Sequence, residues 1–472
     1  MTDPLWSETE LAQALGAPPS APLSAAVAGV SIDTRTLAPG DLFFAIQGET
    51  SDGHDYVARA FAAGASACVV AQTRARELAA HGPVFAVDDT LRAMERLGAA
   101  ARARTHARIV AVTGSVGKTS AKEMLRVALA KAGPTHASAA SYNNHWGVPL
   151  TLARMPASSA FGVFEIGMNH AGEITPLVAM VRPHVALVTT IAPVHIEYLG
   201  SIEAIAEAKA EIFTGVELGG TIVLNRDAPQ FALLERRASL TRKVVSFGAD
   251  ARADGRLLHF EPEGEGAAVR AVLHGREIAF RLGAPGLHMA QNAVGVLLAV
   301  EALGADVAQA AAALAEFSAQ KGRGARFTLH GPGGAFTLID ESYNANPVSM
   351  RAALALLSAT NPGAGGRRIA VLGDMLELGA GGAQAHADLA GDLARHNVDL
   401  LFCVGPLMRR LFDAAPPAMR GFWAERSADI APSVFDAARG GDVVMVKGSL
   451  GSAMGPVVAA LRSHFSLAPA GE

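Results

Sequence analysis

The chain has 472 residues, 50% of them apolar and 18% charged, with a formal net charge of -4. A chain of this length exceeds what one hydrophobic core supports, so more than one domain is expected. The charge balance supplies no basic field, which argues against nucleic acid as a partner. The only cysteines, Cys68 and Cys403, lie far apart and argue against a disulfide framework and a cysteine-rich metal site.

The first residues, Met-Thr-Asp-Pro-Leu-Trp-Ser-Glu, lack the basic and apolar regions of a secretory signal, and no uninterrupted apolar run reaches membrane-spanning length. A cytoplasmic enzyme without a membrane span is the expectation. Residues 1–105 carry a small α/β pattern of their own. Val30–Arg35 reads as a strand end and Ala38–Asp41 as a turn. Leu42–Ile46 is a strand stopped by Gly48, and a helix runs from about Asp55 to Ala63. Strands at Ala67–Val70 and Phe85–Asp88 and a helix through Leu91, Met94 and Leu97 close the unit, and residues 101–107 read as a connection.

A second unit, residues 106–326, opens on Arg108-Ile-Val-Ala-Val-Thr-Gly-Ser-Val-Gly-Lys-Thr-Ser120. This is an apolar strand, a glycine-bearing loop and a helix whose apolar residues Ala121, Met124, Leu125 and Ala128 recur at i, i+3, i+4 and i+7. Such a loop aims backbone N–H groups, a helix N-terminus and the Lys118 ammonium at one point, which suits a phosphate chain. The Thr119 hydroxyl suits its Mg²⁺. The glycine of the common P-loop five positions before Gly117 is replaced by Val112, and Gly114 gives a shorter form. Further strand-like runs end in polar residues: Phe161–Phe164 before Glu165, Val185–Ala192 before His195, and Thr221–Leu224 before Asn225 and Asp227. In open parallel sheets ligands bind beyond the carboxyl ends of the strands, so these residues are expected at one edge. In the helix Ser201–Phe213 the apolar stripe of Ile202, Ile205, Ala206, Ile212 and Phe213 includes Lys209. Either Lys209 snorkels from the stripe's edge, or its ammonium is buried beside the phosphate site, where it must be paired or modified. Residues 256–282 read as short hairpins, an insertion or an edge, ahead of the helix 289–303.

Residues 327–472 form a third α/β unit with strands at Thr337–Ile339, Ile369–Leu372, Leu400–Val404 and Val443–Val446 separated by helices, and a disordered tail from 464. The pattern predicts a parallel, Rossmann-like sheet with right-handed crossovers but without a dinucleotide glycine fingerprint. Its strand ends are again polar, at Asp340–Pro347, Gly373–Met375 and Lys447-Gly448-Ser449. The fold class expected is therefore α/β with three domains: a small N-terminal domain, a central P-loop parallel-sheet domain and a C-terminal Rossmann-like domain.

Thr113-Gly-Ser-Val-Gly-Lys-Thr-Ser120 resembles the ATP loop of the Mur ligases, which build the peptide of bacterial cell-wall precursors. Asp33-Thr-Arg35, Asp52-Gly-His54, Asn143–Pro149, Glu165–Glu173, Ala208–Phe213, Lys321-Gly-Arg323, Glu341–Pro347 and Gly373–Gly379 extend the resemblance through all three units. The Ser-Tyr-Asn-Ala-Asn-Pro and Gly-Asp-Met-Leu-Glu-Leu runs are similar to the branch that adds D-alanyl-D-alanine to a UDP-N-acetylmuramoyl tripeptide. The resemblance implies that Thr113, Gly114, Ser115, Val116, Gly117, Lys118, Thr119 and Ser120 hold ATP, with Lys118 and Thr119 on its phosphates and Mg²⁺. It implies that Glu165 and His195 hold a second Mg²⁺, and that Lys209 carries a carbamate facing that metal. Asn292 would meet the adenine, and Arg323 with Glu341 would close on the nucleotide. Thr34, Arg35 and the loop after Gly48 would hold the UDP end of the substrate, with Asn144 also on the substrate, and Asn344 and Asn346 would sit near the dipeptide. The family's Gly-x-His-Asn-x-x-Asn is here Gly286-Leu-His-Met-Ala-Gln-Asn292, and Met289 lacks the asparagine amide.

The implied reaction is an ATP-dependent amide ligation by a monomer, with an acyl phosphate on the tripeptide carboxylate that the dipeptide amine attacks. Competing readings are a sister ligase that adds the third residue, a folylpolyglutamate synthetase, a P-loop motor or switch NTPase, and a non-catalytic nucleotide-binding regulator. The first- and third-unit motifs argue against the sister enzymes, and the set Lys118, Glu165, His195 and Lys209 argues against the regulator.

Overall fold

A computed structural model describes residues 4–48, 50–139, 141–194, 196–238 and 242–465, and element counts refer to these residues. Its strands segregate into three sheets in chain order. The first holds β1 (Gly29–Ser31), β2 (Asp41–Phe44), β3 (Ala67–Ala71) and β4 (Val84–Val87), all parallel and in that order. Every residue of β2 is buried, which explains its continuous apolar run. The helix Thr90–Arg104 follows, started by the Asp89 carboxylate, which accepts the N–H groups of Leu91 and Arg92. Most of the connection expected at 101–107 is thus helix. The reason is docking: the buried Arg102 guanidinium donates to the carbonyls of Val181 (2.8 Å) and Arg182 (2.9 Å), at the C-terminus of the helix Ile174–Val181.

The second sheet contains β5 (Arg108–Thr113), β6 (Thr135–Ala137), β7 (Phe161–Glu165), β8 (Val185–Val188), β9 (Thr221–Asn225), β10 (Lys243–Gly248), β11 (Gly255–Glu263), β12 (Gly266–Leu273) and β13 (Arg276–Leu282). Their order is β13-β12-β11-β10-β9-β8-β5-β7-β6. Pairing is parallel from β6 to β11 and antiparallel through β12 and β13. Residues 255–282 are therefore long strands that continue the main sheet. The strand order reverses at β5, which has β7 on one side and β8 on the other, so the loop after β5 opens at the crevice of the sheet. The helices Lys118–Ala130 and Leu287–Ala302 share one core, in which Met124, Leu125, Val294 and Leu297 are fully buried.

The third sheet holds β14 (Ala325–Gly331), β15 (Gly334–Glu341), β16 (Arg368–Gly373), β17 (Leu400–Val404), β18 (Arg420–Ala424) and β19 (Val443–Lys447), in the order β14-β15-β19-β16-β17-β18. Only β14 is antiparallel. The edge strand β18 has no counterpart in the sequence reading, because its half-exposed Arg-Gly-Phe-Trp-Ala carries neither an apolar run nor clean alternation. The last helix, Met454–His464, reaches the start of the expected tail, and residues 466–472 lie outside the described residues.

Candidate active site

The loop after β5 is shaped by two glycines in conformations that side chains avoid, Gly114 (φ 142°) and Gly117 (φ 88°), the second serving as the N-cap of Lys118–Ala130. The segment read from sequence as the end of a strand, 189–192, leaves the sheet and braces this loop instead. Thr189 Oγ1 donates to the Val116 carbonyl (2.6 Å), Ser115 N–H donates to Thr190 O (2.7 Å), and Ser115 Oγ donates to Ala192 O (3.0 Å). The brace ties the loop to the segment after β8, and helix geometry leaves the first N–H groups of Lys118–Ala130 without intrahelical partners. The Lys118 ammonium donates to Gly114 O at 2.6 Å, and Thr119 Oγ1 lies 3.4 Å from Ser141 Oγ.

Glu165 ends β7, in register with Val112 of β5, and is 2% exposed. Asn143 Nδ2 donates to its Oε1 at 2.7 Å, while its buried Oε2 has no hydrogen-bond partner. Lys209, in the helix Ile202–Ala210 capped by Ser201, is 1% exposed, so it is buried and does not snorkel. Burial, and then the neighbouring Lys118 ammonium, pushes its amine well below the usual lysine value. Lys118 is lowered by burial too; Glu165 acts to raise it and Arg323 to lower it. Lys118, Glu165, Lys209 and Arg323 therefore form one electrostatic cluster.

The third sheet supplies the opposite wall. A cavity of about 260 Å³ is lined on one side by 115–120, Ser141, Asn143 and Glu165, and on the other by Arg323, Glu341, Tyr343, Asn344, Asn346 and Lys447. His288 and Met289 line it as well. The Arg323 guanidinium lies 4.2 Å from the centre of the Tyr343 ring. The His288 imidazole is lowered by burial, with Glu341 opposing and Lys447 reinforcing that shift.

Not every expected residue joins this cluster. His195 lies outside the described residues. Asn225 donates to Thr189 O (3.0 Å), and the Asp227 carboxylate accepts the N–H groups of Ala249 and Asp250 and the Gln291 amide, so both are structural. Asn292 is buried with its amide against Gly117 and does not line the cavity, whereas Met289 does. Asn144 accepts the Gly147 N–H at the start of the helix Gly147–Ala153, and it is the neighbouring Asn143 that reaches Glu165. Thr34, Arg35 and Gly48 stand apart on the first sheet's loops, with exposed Arg35 paired to Asp33 at 2.6 Å. Asn143, Ser141, His288, Tyr343 and Lys447 went unassigned in the sequence reading. Lys447 had left a signal, as a polar residue at a strand end.

Asn346 lines the cavity but spends its side chain as the N-cap of Pro347–Ala359, accepting from Ser349 N (2.9 Å) in a reciprocal capping box. Asn346→Ala is expected to cost about 1 kcal/mol of stability in urea denaturation, and Asn346→Asp, which keeps a cap acceptor, much less. Equal losses for the two variants would show that the cap is not what Asn346 contributes.

The site suits a nucleotide polyphosphate and a hard divalent cation. The unpartnered Glu165 Oε2 and the weakly engaged Thr119 hydroxyl are oxygen donors of the type Mg²⁺ takes. Among the described residues no three His, Cys, Asp or Glu side chains cluster as a closed metal cage.

Comparison with known proteins agrees with this geometry. Three family models match the chain in sequence order. They are the Mur ligase family, catalytic domain, over residues 26–105; the Mur ligase middle domain over 112–300; and the Mur ligase, glutamate ligase domain, over 325–450. The UDP-N-acetylmuramoyl-tripeptide--D-alanyl-D-alanine ligase of Escherichia coli K12 is 35% identical, over 92% of this chain and 94% of its own. The protein of the same name from Bacillus subtilis is 33% identical, over 91% and 92%. A crystal structure of MurF from Acinetobacter baumannii superposes with a TM-score of 0.83 at 29% identity, covering 97% of this chain and 98% of that one.

Proposed function

The chain belongs to the Mur ligase family, and from that premise we propose that it joins D-alanyl-D-alanine to a UDP-N-acetylmuramoyl tripeptide at the expense of ATP, a step in peptidoglycan precursor synthesis. The observation that carries this reading is the single cavity shared by the phosphate loop, Glu165 and the third-sheet wall. A ligase must bring a phosphoryl donor, a carboxylate and an amine to one point.

A peptide carboxylate is a poor electrophile because its leaving group would be an oxide. Transfer of the ATP γ-phosphoryl to a carboxylate oxygen breaks the bond between the β–γ bridging oxygen and the γ-phosphorus, releases ADP and makes phosphate the leaving group. The dipeptide amine then adds to the acyl carbon, loses a proton and expels phosphate, leaving an amide. The loop N–H groups and Lys118 hold the phosphates and offset the charge of a carboxylate approaching them. Thr119, Glu165, His195 and Lys209, the last as its carbamate, would hold two Mg²⁺, which supply charge neutralisation at the transferring group. Arg323 and Glu341 close on the nucleotide with Asn292 behind the loop. Thr34, Arg35 and the turn at Gly48 take the UDP end, and Asn144, Asn344 and Asn346 border the peptide. The domains would divide as 1–105 for the UDP substrate, 106–326 for ATP and 327–472 for closure and the acceptor. Among the described residues no helix is long and apolar enough to cross a membrane. A monomer working in the cytoplasm is the form proposed, since one chain supplies both walls of the cavity.

Phosphate release is the test, with UDP-muramoyl peptides varied against amino acids and D-alanyl-D-alanine. Release that requires the tripeptide together with the dipeptide is expected, and ¹⁸O from the tripeptide carboxylate should appear in the phosphate. Preference for a single amino acid as acceptor would move the chain to a sister ligase, and unlabelled phosphate would overturn the acyl phosphate.

A further inference from the structure

Lys447 ends β19 directly beside Glu341 of β15, and the two are register partners in the parallel pair. Its side chain is 2% exposed, yet it belongs to the cavity wall facing the phosphate loop. The ammonium donates to Glu341 Oε2 at 3.2 Å and to the Asn344 carbonyl at 2.9 Å. An ammonium has three N–H donors, and among the described residues the third has no acceptor. A buried cation with one donor left over is poised for an anion.

The charges lining the cavity narrow the choice of anion. Lys118 and the N-terminus of its helix lie on the loop side, and Arg323 is laid over Tyr343 on the opposite wall. Lys447 is the remaining lysine or arginine among the lining residues, and it stands at the far wall. Beside it, Ser349, Ala352 and Ala353 of the helix Pro347–Ala359 present small, weakly polar side chains to the same space, a floor compatible with methyl groups. An acceptor with methyl side chains and a terminal carboxylate matches both features.

We infer that Lys447 binds the C-terminal carboxylate of the acceptor dipeptide, with Glu341 and the Asn344 carbonyl holding the ammonium in place. The inference rests on the acceptor proposed above. It gives the third sheet a recognition task distinct from closing on the nucleotide: the carboxylate fixes one end of the dipeptide, so the amine at the other end points towards the loop.

The test compares D-alanyl-D-alanine with its C-terminal carboxamide as acceptors, in the parent and in Lys447→Met, with full kinetics for all three substrates. In the parent, loss of the carboxylate is expected to lower kcat/KM by about 10-fold or more, the worth of a charge-assisted hydrogen bond. In Lys447→Met the KM for the dipeptide should rise and the acid and the amide should become nearly equal, while the KM values for ATP and the UDP-tripeptide stay within about twofold. A parent that does not distinguish acid from amide overturns the inference, whether or not the variant folds. So does a variant that keeps the parent's ratio, or one in which the KM for ATP alone rises, which would place Lys447 behind Glu341 on the nucleotide. Lys447→Met/Glu341→Gln removes both charges together and supplies the acid-to-amide ratio if the single variant is unstable. Ligation of the dipeptide by the parent preserves the proposed function under each of these results; absence of ligation removes the function itself.

Discussion

Lys118→Ala is expected to lose about 10²–10³ of turnover, the cost of removing one preorganised electrostatic contact to a charged transition state. The structure isolates this effect from folding. Burial lowers the Lys118 amine, so its charge is held at a cost in the unliganded protein, and its one hydrogen bond runs to a carbonyl of its own loop, Gly114 O. Removing it therefore leaves thermal stability unchanged or slightly raised while turnover collapses. The helix is not at risk, since alanine is the best helix former and Gly117 still starts it. Steady-state phosphate release and a melting curve on the same preparation decide the matter. A variant within threefold of the parent, or one whose activity falls only in step with its melting temperature, would remove Lys118 from the phosphate site.

Lys209→Ala and Lys209→Arg are both expected to be nearly inactive, although arginine keeps the positive charge. Lys209 is 1% exposed, and burial and the Lys118 ammonium both favour its neutral amine. A neutral amine adds CO₂ with formation of an N–C bond and release of a proton, and the product is an anion with two oxygens, the ligand type a hard cation prefers. The carbamate would relieve the clash with Lys118 and place a negative group opposite it. A short carboxylic acid should partly restore Lys209→Ala, and ¹³C-bicarbonate should give a carbamate resonance in the parent that both variants lack. Stability supplies an independent readout. With the folded value depressed, the folded protein binds fewer protons than the unfolded chain, so the penalty is full below the folded value. It fades as pH rises towards the unfolded lysine value of about 10.4. Lys209→Met should accordingly melt higher than the parent near neutral pH in CO₂-free buffer, with the gain shrinking towards pH 10. Retained activity in Lys209→Arg would refute the carbamate, and a Lys209→Met protein that melts lower at neutral pH would refute the buried neutral amine.

Sequence alone determined what depends on short-range pattern. The strand, glycine loop and helix at 108–130 were legible because a strand, two glycines, Lys118-Thr119 and a 3.6-period helix are all local. The odd placement of Lys209 was legible for the same reason, as a cation in an apolar stripe. The three-unit α/β organisation followed from apolar runs alternating with helices, and the family from motifs spread along 472 residues. Edges were harder to see: half-exposed β18 lacks the apolar signature of central strands, and the antiparallel β14 was read only as the start of a unit.

Tertiary structure decided which polar strand ends share a site, because that depends on partners far away in the chain. Asn225 and Asp227 occupy the expected edge but are consumed by Thr189, Ala249, Asp250 and Gln291. Of two adjacent asparagines, Asn144 closes a helix turn and Asn143 reaches Glu165, a choice set by backbone direction and invisible in an Asn-Asn pair. Thr189–Ala192 ends the strand and braces the loop, through bonds to Ser115 and Val116 that come from a distant part of the chain. The wall formed by Glu341 and Lys447 is 106 residues apart in sequence and exists only because β15 and β19 pair in that register. A side chain's chemistry is local, but whether it is spent on the fold or left free for a ligand is settled by what the rest of the chain brings within hydrogen-bond reach.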